Sequence, residues 1–595
     1  MCGIFGYVGK QDNASQIILE GLKLLEYRGY DSWGIAIKSG KKLEVDKHTG
    51  KIGNAKVNLP KSTIGIGHTR WATHGGVTKN NAHPHLDCTK TIAVVHNGIV
   101  ENFQELKKNL VKKGHKFISE TDTEVIVHLI EDFLKKEAMP AGRQGFASAV
   151  RDAFNLLRGL NAIVVVNAVS SEIIAAKNGS PLIVGIGKNE LYIASDASGI
   201  LKHTKEVVFL EDNQMIILGK NITLVQLPKG NKLKLNKHIL NWEFKEVQRG
   251  KYKHFFIKEI HEESRIIENT ALNGLSGAQK LADLIKNAFG TFIIACGSAS
   301  YSAIGATYLF SKIAKKHVNF SIGSEFKYME DFITEKTLII PISQSGESID
   351  VIEPVMRAKE QKGAKIAAIV NVLGSTLYRT ADFKILLESG PEKAVVATKS
   401  FIAMIAVLVL TAYTLSGRQK KAQLLLNKAA KNVRRILSES YIKKIKNLSE
   451  KLKTKEHVFV IGRGLAYTAA LEATLKIKEA ACIHAEAFPA GELKHGVIAL
   501  IEKGSPCIVF APNDETYDDI ISNAQEIKAR GGYIIGIGPK NNVVFDDFLE
   551  TDDIEEATLL PQVVISHLLG YYLALARGIK DPDKPRNLAK SVTVK

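Results

Sequence analysis

Cysteine is scarce in this 595-residue sequence, and its residues are scattered rather than paired. An odd, dispersed set without a CxxC pair disfavours a disulfide framework and favours a reducing compartment, so we expect a cytoplasmic protein. Zinc-finger spacing and the aromatic signature of an RNA-binding module are also missing, so we expect no nucleic-acid partner. The five residues are Cys2, Cys88, Cys296, Cys482 and Cys507.

Long apolar runs are few as well. The most apolar stretch, 401–415, is shorter than the roughly 20 residues of a membrane-spanning helix and predicts a buried core helix. The first residues, MCGIFGYVGKQDN, have no basic region followed by a long apolar one, so no signal peptide is expected. We therefore expect no membrane association.

Positive charge exceeds negative charge in this sequence, and the net charge is +18. Such a balance suits nucleic acid, a membrane surface or small anionic substrates. Much of it lies within 418–455 at helical spacing, which is typical of the solvated face of peripheral helices.

The length predicts three or four domains at about 150 residues each. Residues 1–240 alternate short β-branched strands with turns, which predicts an α+β domain with stacked sheets between helices. Its expected helices cover 14–25, 101–113 and 122–136, and its expected strands include 63–67, 92–95, 163–166 and 191–194. A polar linker is expected at 241–255.

The remainder repeats itself at an offset of roughly 165 residues, which predicts two α/β doubly wound domains. Strand-like runs correspond pairwise between the two copies. We place the domains at 256–440 and 441–580, followed by a tail at 581–595. The paired runs are 291–297 with 458–464, 337–342 with 506–511, and 365–370 with 533–537.

Cys2 directly follows Met1, and removal of Met1 would leave a thiol beside an α-amino group with a pKa of about 8. That amine can take the thiol proton. Alone, a cysteine in second place is more often coincidence. Here it opens an ordered set: CGIFG (2–6), YRGYDS (27–32), GHTRWATHG (67–75), HPH (83–85), HNG (96–98) and TDTE (121–124).

Together these motifs resemble the glutaminase domain of the N-terminal-nucleophile amidotransferases. The resemblance implies that Cys2 attacks the side-chain amide of L-glutamine, while Asn97 and Gly98 stabilise the oxyanion. Arg70 suits the substrate carboxylate and Asp122 its ammonium group. Further pocket residues would be Trp71, Thr73 and His74.

The histidines of these motifs could also be structural. For His74, His83 and His85 that role is at least as probable as substrate contact, and a metal site is disfavoured because no carboxylate or cysteine completes the set. We expect neither a metal nor an organic cofactor. Where the family commonly has Gly, a small residue and an aromatic, this chain has Gly159, Leu160 and Asn161, which suggests an altered core contact without a catalytic role.

In the second part, SQSGES (343–348) follows a strand and precedes a helix, a setting that suits a phosphate. With the motifs around it, the run resembles sugar isomerase domains, and the whole chain resembles the glutamine–fructose-6-phosphate aminotransferase family. These motifs are ACGS (295–298), SEFKY (324–328), ATKSF (397–401), LEATLKIKE (471–479), HAE (484–486), GELKHG (491–496) and PRNLAKSVTV (585–594).

The resemblance implies a homodimer that passes ammonia to D-fructose 6-phosphate and isomerises the sugar. His495 would open the ring and reach the partner subunit's site, Glu479 would move a proton, and Lys590 would form a Schiff base. Read alone, Glu479 could instead form an exposed ion pair with Lys476, and Lys590 could be a mobile tail residue. The sugar-phosphate pocket would comprise Cys296, Gly297, Ser298, Ser343, Gln344, Ser345, Ser348, Val395, Ala397, Glu472, Lys476 and Ala589.

Some alternatives stay open. The loop after Gly297 has one residue more than is common, so either Ala299 or Ser300 takes the second serine's place. Another acceptor, phosphoribosyl pyrophosphate or an ATP-activated substrate, would need phosphate motifs that this chain lacks. A non-catalytic sugar-phosphate sensor would not need Cys2, Glu479, His495 or Lys590.

Overall fold

The computed structural model describes residues 2–137, 145–240 and 242–592. Contacts within the chain define two compact units. The first comprises Met1–Gln248 with Ala589–Lys595, and the second comprises Arg249–Leu588. The boundary at 248 falls inside the expected linker, and the end of the chain groups with the first unit.

The first unit contains two antiparallel sheets in the described residues. One has the order β15-β11-β9-β10-β1-β4-β2-β3 and the other β14-β13-β12-β8-β7-β6-β5. The strands are β1 Gly3–Val8, β2 Ser32–Ser39, β3 Lys42–Thr49, β4 Ile64–Arg70, β5 His85–Leu86, β6 Ile92–Gly98, β7 Asn161–Asn167, β8 Ile173–Lys177, β9 Ile183–Ile186, β10 Leu191–Ala194, β11 Glu206–Phe209, β12 Gln214–Leu218, β13 Ile222–Gln226, β14 Asn231–Leu233 and β15 Lys237–Ile239.

Helices cover the outer faces of these sheets, giving the stacked α+β arrangement that the sequence predicted. Strand β7 shows why: all seven of its residues are buried. Val164 and Val166 face the layer between the sheets, whereas Ile163 and Val165 face the helices. The helices are α1 Ala14–Leu25, α2 Phe103–Lys112, α3 Glu124–Glu137, α4 Phe146–Asn155 and α5 Ala197–Ile200.

The second unit contains two parallel five-stranded sheets, ordered β17-β16-β18-β19-β20 and β22-β21-β23-β24-β25. Both orders read 2-1-3-4-5, the doubly wound arrangement, so the predicted duplication is confirmed. The strands are β16 Gly290–Ala295, β17 Asn319–Ile322, β18 Thr337–Ser343, β19 Lys365–Val370, β20 Phe383–Leu386, β21 His457–Gly462, β22 His484–Pro489, β23 Pro506–Phe510, β24 Tyr533–Gly538 and β25 Asp547–Glu550.

One apolar core connects the helices of both copies, which is why they form a single unit. The helices are α6 Phe255–Asn273, α7 Leu275–Asn287, α8 Ser298–Ala314, α9 Gly323–Phe326, α10 Ile349–Lys362, α11 Thr376–Thr380, α12 Lys399–Leu415, α13 Gln419–Ile436, α14 Glu439–Leu452, α15 Ala466–Ala481, α16 Tyr517–Lys528 and α17 Leu559–Ala576. The basic stretch forms α13 and α14, whose apolar faces are buried.

Helix α12 is buried along almost its whole length, as the sequence predicted. One segment among the described residues, Glu555–Ala576, is long and apolar enough to cross a membrane, and 83% of its apolar window is buried inside the protein. That burial is typical of a core helix.

Candidate active site

Cys2 precedes β1, which lies between β10 and β4 in the eight-stranded sheet. Two buried hydroxyls hold the backbone that follows it: Thr69 Oγ1 accepts from Gly3 N at 3.1 Å, and Ser195 Oγ accepts from Ile4 N at 3.0 Å. The Cys2 Sγ accepts from Trp71 N at 3.2 Å. The thiol is therefore placed by β1 and β4 together rather than by a flexible end.

Burial raises the pKa of the Cys2 thiol, while the positive chain terminus, the Trp71 N–H, Arg70 and Arg28 act in the opposite direction. Burial is the largest effect, so the thiol is mostly protonated at neutral pH and needs a base. An α-amino group on Cys2 itself would supply that base once Met1 is removed.

Asn97 and Gly98, the residues predicted to stabilise the oxyanion, end β6, and Asn97 contacts Cys2. Asn97 Nδ2 donates to Cys2 O at 3.0 Å, and His68 Nε2 lies 3.1 Å from Asn97 Oδ1 and 3.0 Å from His96 O. Burial lowers the pKa of His68 to about 3, so the ring is neutral. Because both partners of Nε2 are acceptors, Nε2 carries the proton and keeps the Asn97 amide NH₂ turned to Cys2.

Gly98 cannot be replaced without strain. Its φ is +124°, and a Cβ there would lie 2.1 Å from the backbone oxygen of Leu160, the residue before β7. Asn161, opposite Gly98 in the register, places Oδ1 at 2.9 Å from His96 Nε2. The unusual Asn161 therefore supports the segment that carries Asn97, a supporting role that the motif comparison did not reveal.

Arg70 and Asp122, two of the residues expected to bind glutamine, lie near Cys2. Arg70 is buried, and its electrostatic environment includes Cys2 and Asp122. Its guanidinium donates to Gly76 O and Gly75 O, both at 3.1 Å, and to His74 O. Arg70 thus holds the loop 74–76 against the site.

The other expected pocket residues differ in their surroundings. Asp122 Oδ2 accepts from Val100 N at 2.8 Å. Trp71 packs edge-on against Tyr30 with ring centroids 5.3 Å apart, and Thr73 is exposed. Asp31, which the motif analysis did not single out, accepts from Ala72 N at 2.9 Å and fixes the turn that carries Trp71.

The histidines of the HPH run are buried in the protein. His83 stacks on His68 with ring centroids 4.1 Å apart, and His85 Nε2 lies 3.1 Å from Thr121 Oγ1. Burial lowers the pKa of both rings well below the ordinary value. His74 packs at 5.6 Å from Phe103. Structural roles suit His83 and His85 best.

In the second unit, two loops meet where the chain leaves β16 and β18, the topological switch point at which doubly wound sheets bind ligands. In the loop 343–348, Ser343 Oγ accepts from Gly346 N at 3.0 Å and lies 3.4 Å from Ser348 Oγ. Ser345 Oγ accepts from Glu347 N at 3.1 Å. Hydroxyls and amides thus gather at the N-terminus of α10.

Neighbouring parts of the expected pocket are fixed by backbone contacts. Gln344 O accepts from Asn371 N at 3.2 Å, and Val395 N donates to Asp583 O at 2.8 Å. After Gly297, which has a φ of +59°, the Ser300 hydroxyl donates back to Gly297 O at 2.7 Å. Burial raises the pKa of Cys296.

Lys476 lies at the centre of a buried ionic network. Its Nζ donates to Glu479 Oε2 at 2.9 Å, to Ser298 Oγ at 3.1 Å and to Ala397 O at 3.0 Å, and it lies 3.2 Å from Glu472 Oε1. Burial opposes its charge, but the two carboxylates outweigh burial and raise the pKa of Lys476. The pair with Glu479 is therefore not an exposed surface ion pair, because Lys476 is wholly buried.

Two further members of this network were missed by sequence reasoning. His567 on α17 places Nδ1 at 2.7 Å from Glu263 Oε1 and Nε2 at 3.3 Å from Glu472 Oε1. Burial lowers the pKa of His567, but the two carboxylates outweigh it and raise the value to about 9. The available signal was a polar residue inside a long apolar helix, Glu555–Ala576.

The remaining predicted residues lie apart from this network. His495 ends the 3-10 turn Ala490–His495 and is exposed, and among the described residues no hydrogen bond joins it to Glu479. Ala589 and Lys590 group with the first unit. Their roles in the sugar reaction stay predictions.

A half-buried cysteine held between two strands, in a chain that also contains duplicated doubly wound domains, is typical of a glutamine-dependent amidotransferase that acts together with sugar isomerase domains. Family models agree: a glutamine amidotransferase domain matches residues 1–228, and a SIS domain matches 284–413 and 451–545. The chain belongs to the glutamine–fructose-6-phosphate aminotransferase (isomerising) family, as its relatives show.

Proteins of that name from Thermococcus kodakarensis and Pyrococcus horikoshii are 41% and 42% identical over 610 residues, covering all of this chain and all of each relative. A solved C-terminal domain of glucosamine–fructose-6-phosphate aminotransferase from Francisella tularensis is 33% identical, with a TM-score of 0.51. It covers 56% of this chain and 98% of that structure.

Proposed function

We infer that this chain takes ammonia from L-glutamine and transfers it to D-fructose 6-phosphate with isomerisation, giving D-glucosamine 6-phosphate and L-glutamate. The observation that carries the inference is that Trp71 N donates to Cys2 Sγ while Asn97 Nδ2 donates to the backbone oxygen of the same residue. The full-length identity to the named relatives supplies the acceptor.

In the first reaction, the Cys2 thiolate attacks the side-chain carbonyl carbon of glutamine. Asn97 Nδ2 and the Gly98 amide stabilise the oxyanion, and the α-amino group passes the thiol proton to the departing ammonia. Collapse of the intermediate breaks the C–N bond and leaves a thioester, which water hydrolyses to glutamate. Arg70 and Asp122 would hold the substrate's carboxylate and ammonium groups.

In the second reaction, the loop 343–348 would hold the phosphate at the start of α10. His495 would open the ring, and Lys590 would form a Schiff base at C2 with loss of water. Ammonia from the first reaction would displace the lysine amine at C2, and Glu479 would carry the proton between C1 and C2. Lys476, 2.9 Å from Glu479 Oε2, keeps that carboxylate oriented.

The working enzyme is proposed to be a cytoplasmic homodimer in which His495 serves the sugar site of the partner subunit. Exposure of His495 at the end of its 3-10 turn supports this assignment. Neither reaction calls for a metal or an organic cofactor, and no nucleic acid or membrane is required.

Product analysis tests the function directly. Incubation with glutamine and fructose 6-phosphate should yield glucosamine 6-phosphate and glutamate in equal amounts. Cys2→Ala should abolish glutamine use and leave fructose 6-phosphate binding unchanged, while Cys482→Ala, the matched control, should keep both. Loss of sugar binding in Cys2→Ala would contradict the assignment of the two reactions to separate sites.

A further inference from the structure

Four side chains with metal-binding atoms converge in the first unit, and none of them is among the expected glutaminase residues. They are Cys88, which follows β5, His115, which follows α2, and His128 and Glu131 on α3. Their ligand atoms all lie within 4.8 Å of one another. The three imidazole and carboxylate side chains are buried and Cys88 is exposed, so an ion could enter from solvent beside the thiol.

The distances match one coordination geometry. Cys88 Sγ lies 3.9 Å from His115 Nδ1 and 3.7 Å from His128 Nδ1, and these two nitrogens lie 3.0 and 3.2 Å from Glu131 Oε2. In a tetrahedral zinc site with Zn–S of about 2.3 Å and Zn–N or Zn–O of about 2.0–2.1 Å, neighbouring ligand atoms are about 3.3–3.6 Å apart. Four of the six distances between ligand atoms are therefore close to tetrahedral values and the other two do not exceed 4.8 Å, so the cluster approaches a tetrahedral arrangement for Zn²⁺.

The surroundings of the two imidazoles also fit a metal. Both rings turn Nδ1 to the centre, and the opposite nitrogens face carboxylates: His128 Nε2 lies 3.7 Å from Glu124 Oε1, and His115 Nε2 lies 4.0 Å from Asp132 Oδ1. Metal-bound histidines usually donate their other N–H to such a carboxylate. If Nδ1 carried the proton instead, the Nε2 lone pairs would face negative charge.

Glu131 is already arranged as a one-oxygen ligand. Its Oε1 is paired with Lys135 Nζ at 2.7 Å, whereas Oε2 points into the cluster and also accepts from Cys88 N at 3.2 Å. A thiolate from Cys88 and the Glu131 carboxylate would together balance the charge of a dication.

We propose that Cys88, His115, His128 and Glu131 form a structural site for Zn²⁺ or a similar borderline-soft dication. All four positions are filled by the protein, as in structural rather than catalytic zinc sites. The ion would join the turn after β5 and the segment after α2 to helix α3. On binding, the Cys88 thiol loses its proton to solvent and the thiolate becomes a ligand.

The site would act on the glutaminase reaction only through position. Helix α3 begins at Glu124, two residues after Asp122, and Glu124 accepts from Ile118 N at 2.8 Å and from Ser119 N at 2.7 Å. Fixing α3 therefore fixes the segment that carries Asp122.

Cobalt titration tests the site without relying on activity. Metal-free protein carrying Cys2→Ala, which removes the thiol nearest the amino terminus, is titrated with Co²⁺ under a non-thiol reductant. We expect about one equivalent to produce the intense visible bands of tetrahedral Co²⁺ together with a thiolate charge-transfer band, and Zn²⁺ to abolish both by displacement.

Two variants assign the ligands. Cys88→Ser should remove the charge-transfer band, and since Cys88 is exposed the fold should tolerate the change. His128→Gln should weaken Co²⁺ binding at least tenfold. Cys482→Ser is the matched control and should behave as the parent protein.

Absence of tetrahedral bands in the parent protein, or a charge-transfer band that persists in Cys88→Ser, would overturn the proposal. If His128→Gln fails to fold, the parent titration and Cys88→Ser still decide the question.

Discussion

Replacing His567 with Leu should destabilise the second unit strongly. His567 is wholly buried between Glu263 and Glu472, at 2.7 and 3.3 Å. Leu has a similar size, so the main effect is the loss of a cation beside two buried carboxylates. Breaking a buried pair from one side costs about 3–5 kcal/mol, because a charge is left without its partner.

The pH dependence gives a sharper expectation. The pKa of His567 rises from 6.5 to about 9 on folding, a difference worth about 3 kcal/mol. Because the folded value is the higher one, this stabilisation is fully present below pH 6.5 and is lost as the pH rises through about 9. His567→Leu has no such contribution to lose at any pH. The free energies of unfolding of the two proteins should therefore converge above pH 9.

Urea unfolding at several pH values measures both effects. The three tryptophans, Trp33, Trp71 and Trp242, all lie in the first unit, so their fluorescence follows that unit while circular dichroism follows both. His457→Leu, at an exposed histidine, is the control and should change little. Equal stability of wild type and His567→Leu at pH 6.5, or parallel pH profiles, would refute the reasoning.

Three further changes test the two reactions. Gly98→Ala puts a Cβ 2.1 Å from Leu160 O at a φ of +124°. It should lower the glutaminase kcat by about 10²–10³ while sugar binding persists. An unchanged kcat would contradict the oxyanion role. Gly346→Ala puts a Cβ 2.1 Å from Ser375 Oγ at a φ of +66° and should raise KM for fructose 6-phosphate about tenfold or more, with glutamine hydrolysis as the control. Lys590→Ala should prevent borohydride trapping of the sugar, and continued trapping at another lysine would disprove the Schiff-base assignment.

The candidate site residues that could be proposed from the sequence lie in contiguous motifs. Cys2 could be recognised because its partners follow in fixed order, and Asn97 indeed turns its amide to Cys2. The duplication of the second part could also be recognised from the sequence, because each copy begins with a matching strand and turn. The ends of strands were harder to predict. The strand expected at 163–166 extends over Asn161–Asn167 because helices cover its second face.

Contacts between distant segments could not be predicted in the same way. Glu263 and His567 are 304 positions apart, and neither lies in a recognisable motif. Glu472 was expected in the sugar pocket from its helical spacing, but its bond to His567 depends on how α15 packs against α17. Packing of this kind is set by the tertiary core and not by local pattern.

The buried network also explains why a lysine and two glutamates share one face of α15. Glu472 Oε1 lies 3.2 Å from Ser298 Oγ and from Lys476 Nζ, and it also contacts His567, so the oxygen is fixed from three sides. Lys476 is fixed in turn, and its Nζ lies 2.9 Å from Glu479 Oε2.

With all groups ionised, the carboxylates of Glu263, Glu472 and Glu479 outnumber the cations of Lys476 and His567 by one. Burial raises the pKa of Glu263, which eases this negative excess. Through this packing Glu472 holds Lys476, and Lys476 in turn orients the carboxylate of Glu479. On this argument, His567→Leu should slow isomerisation as well as lower stability, because it adds to the negative excess and loosens Glu472.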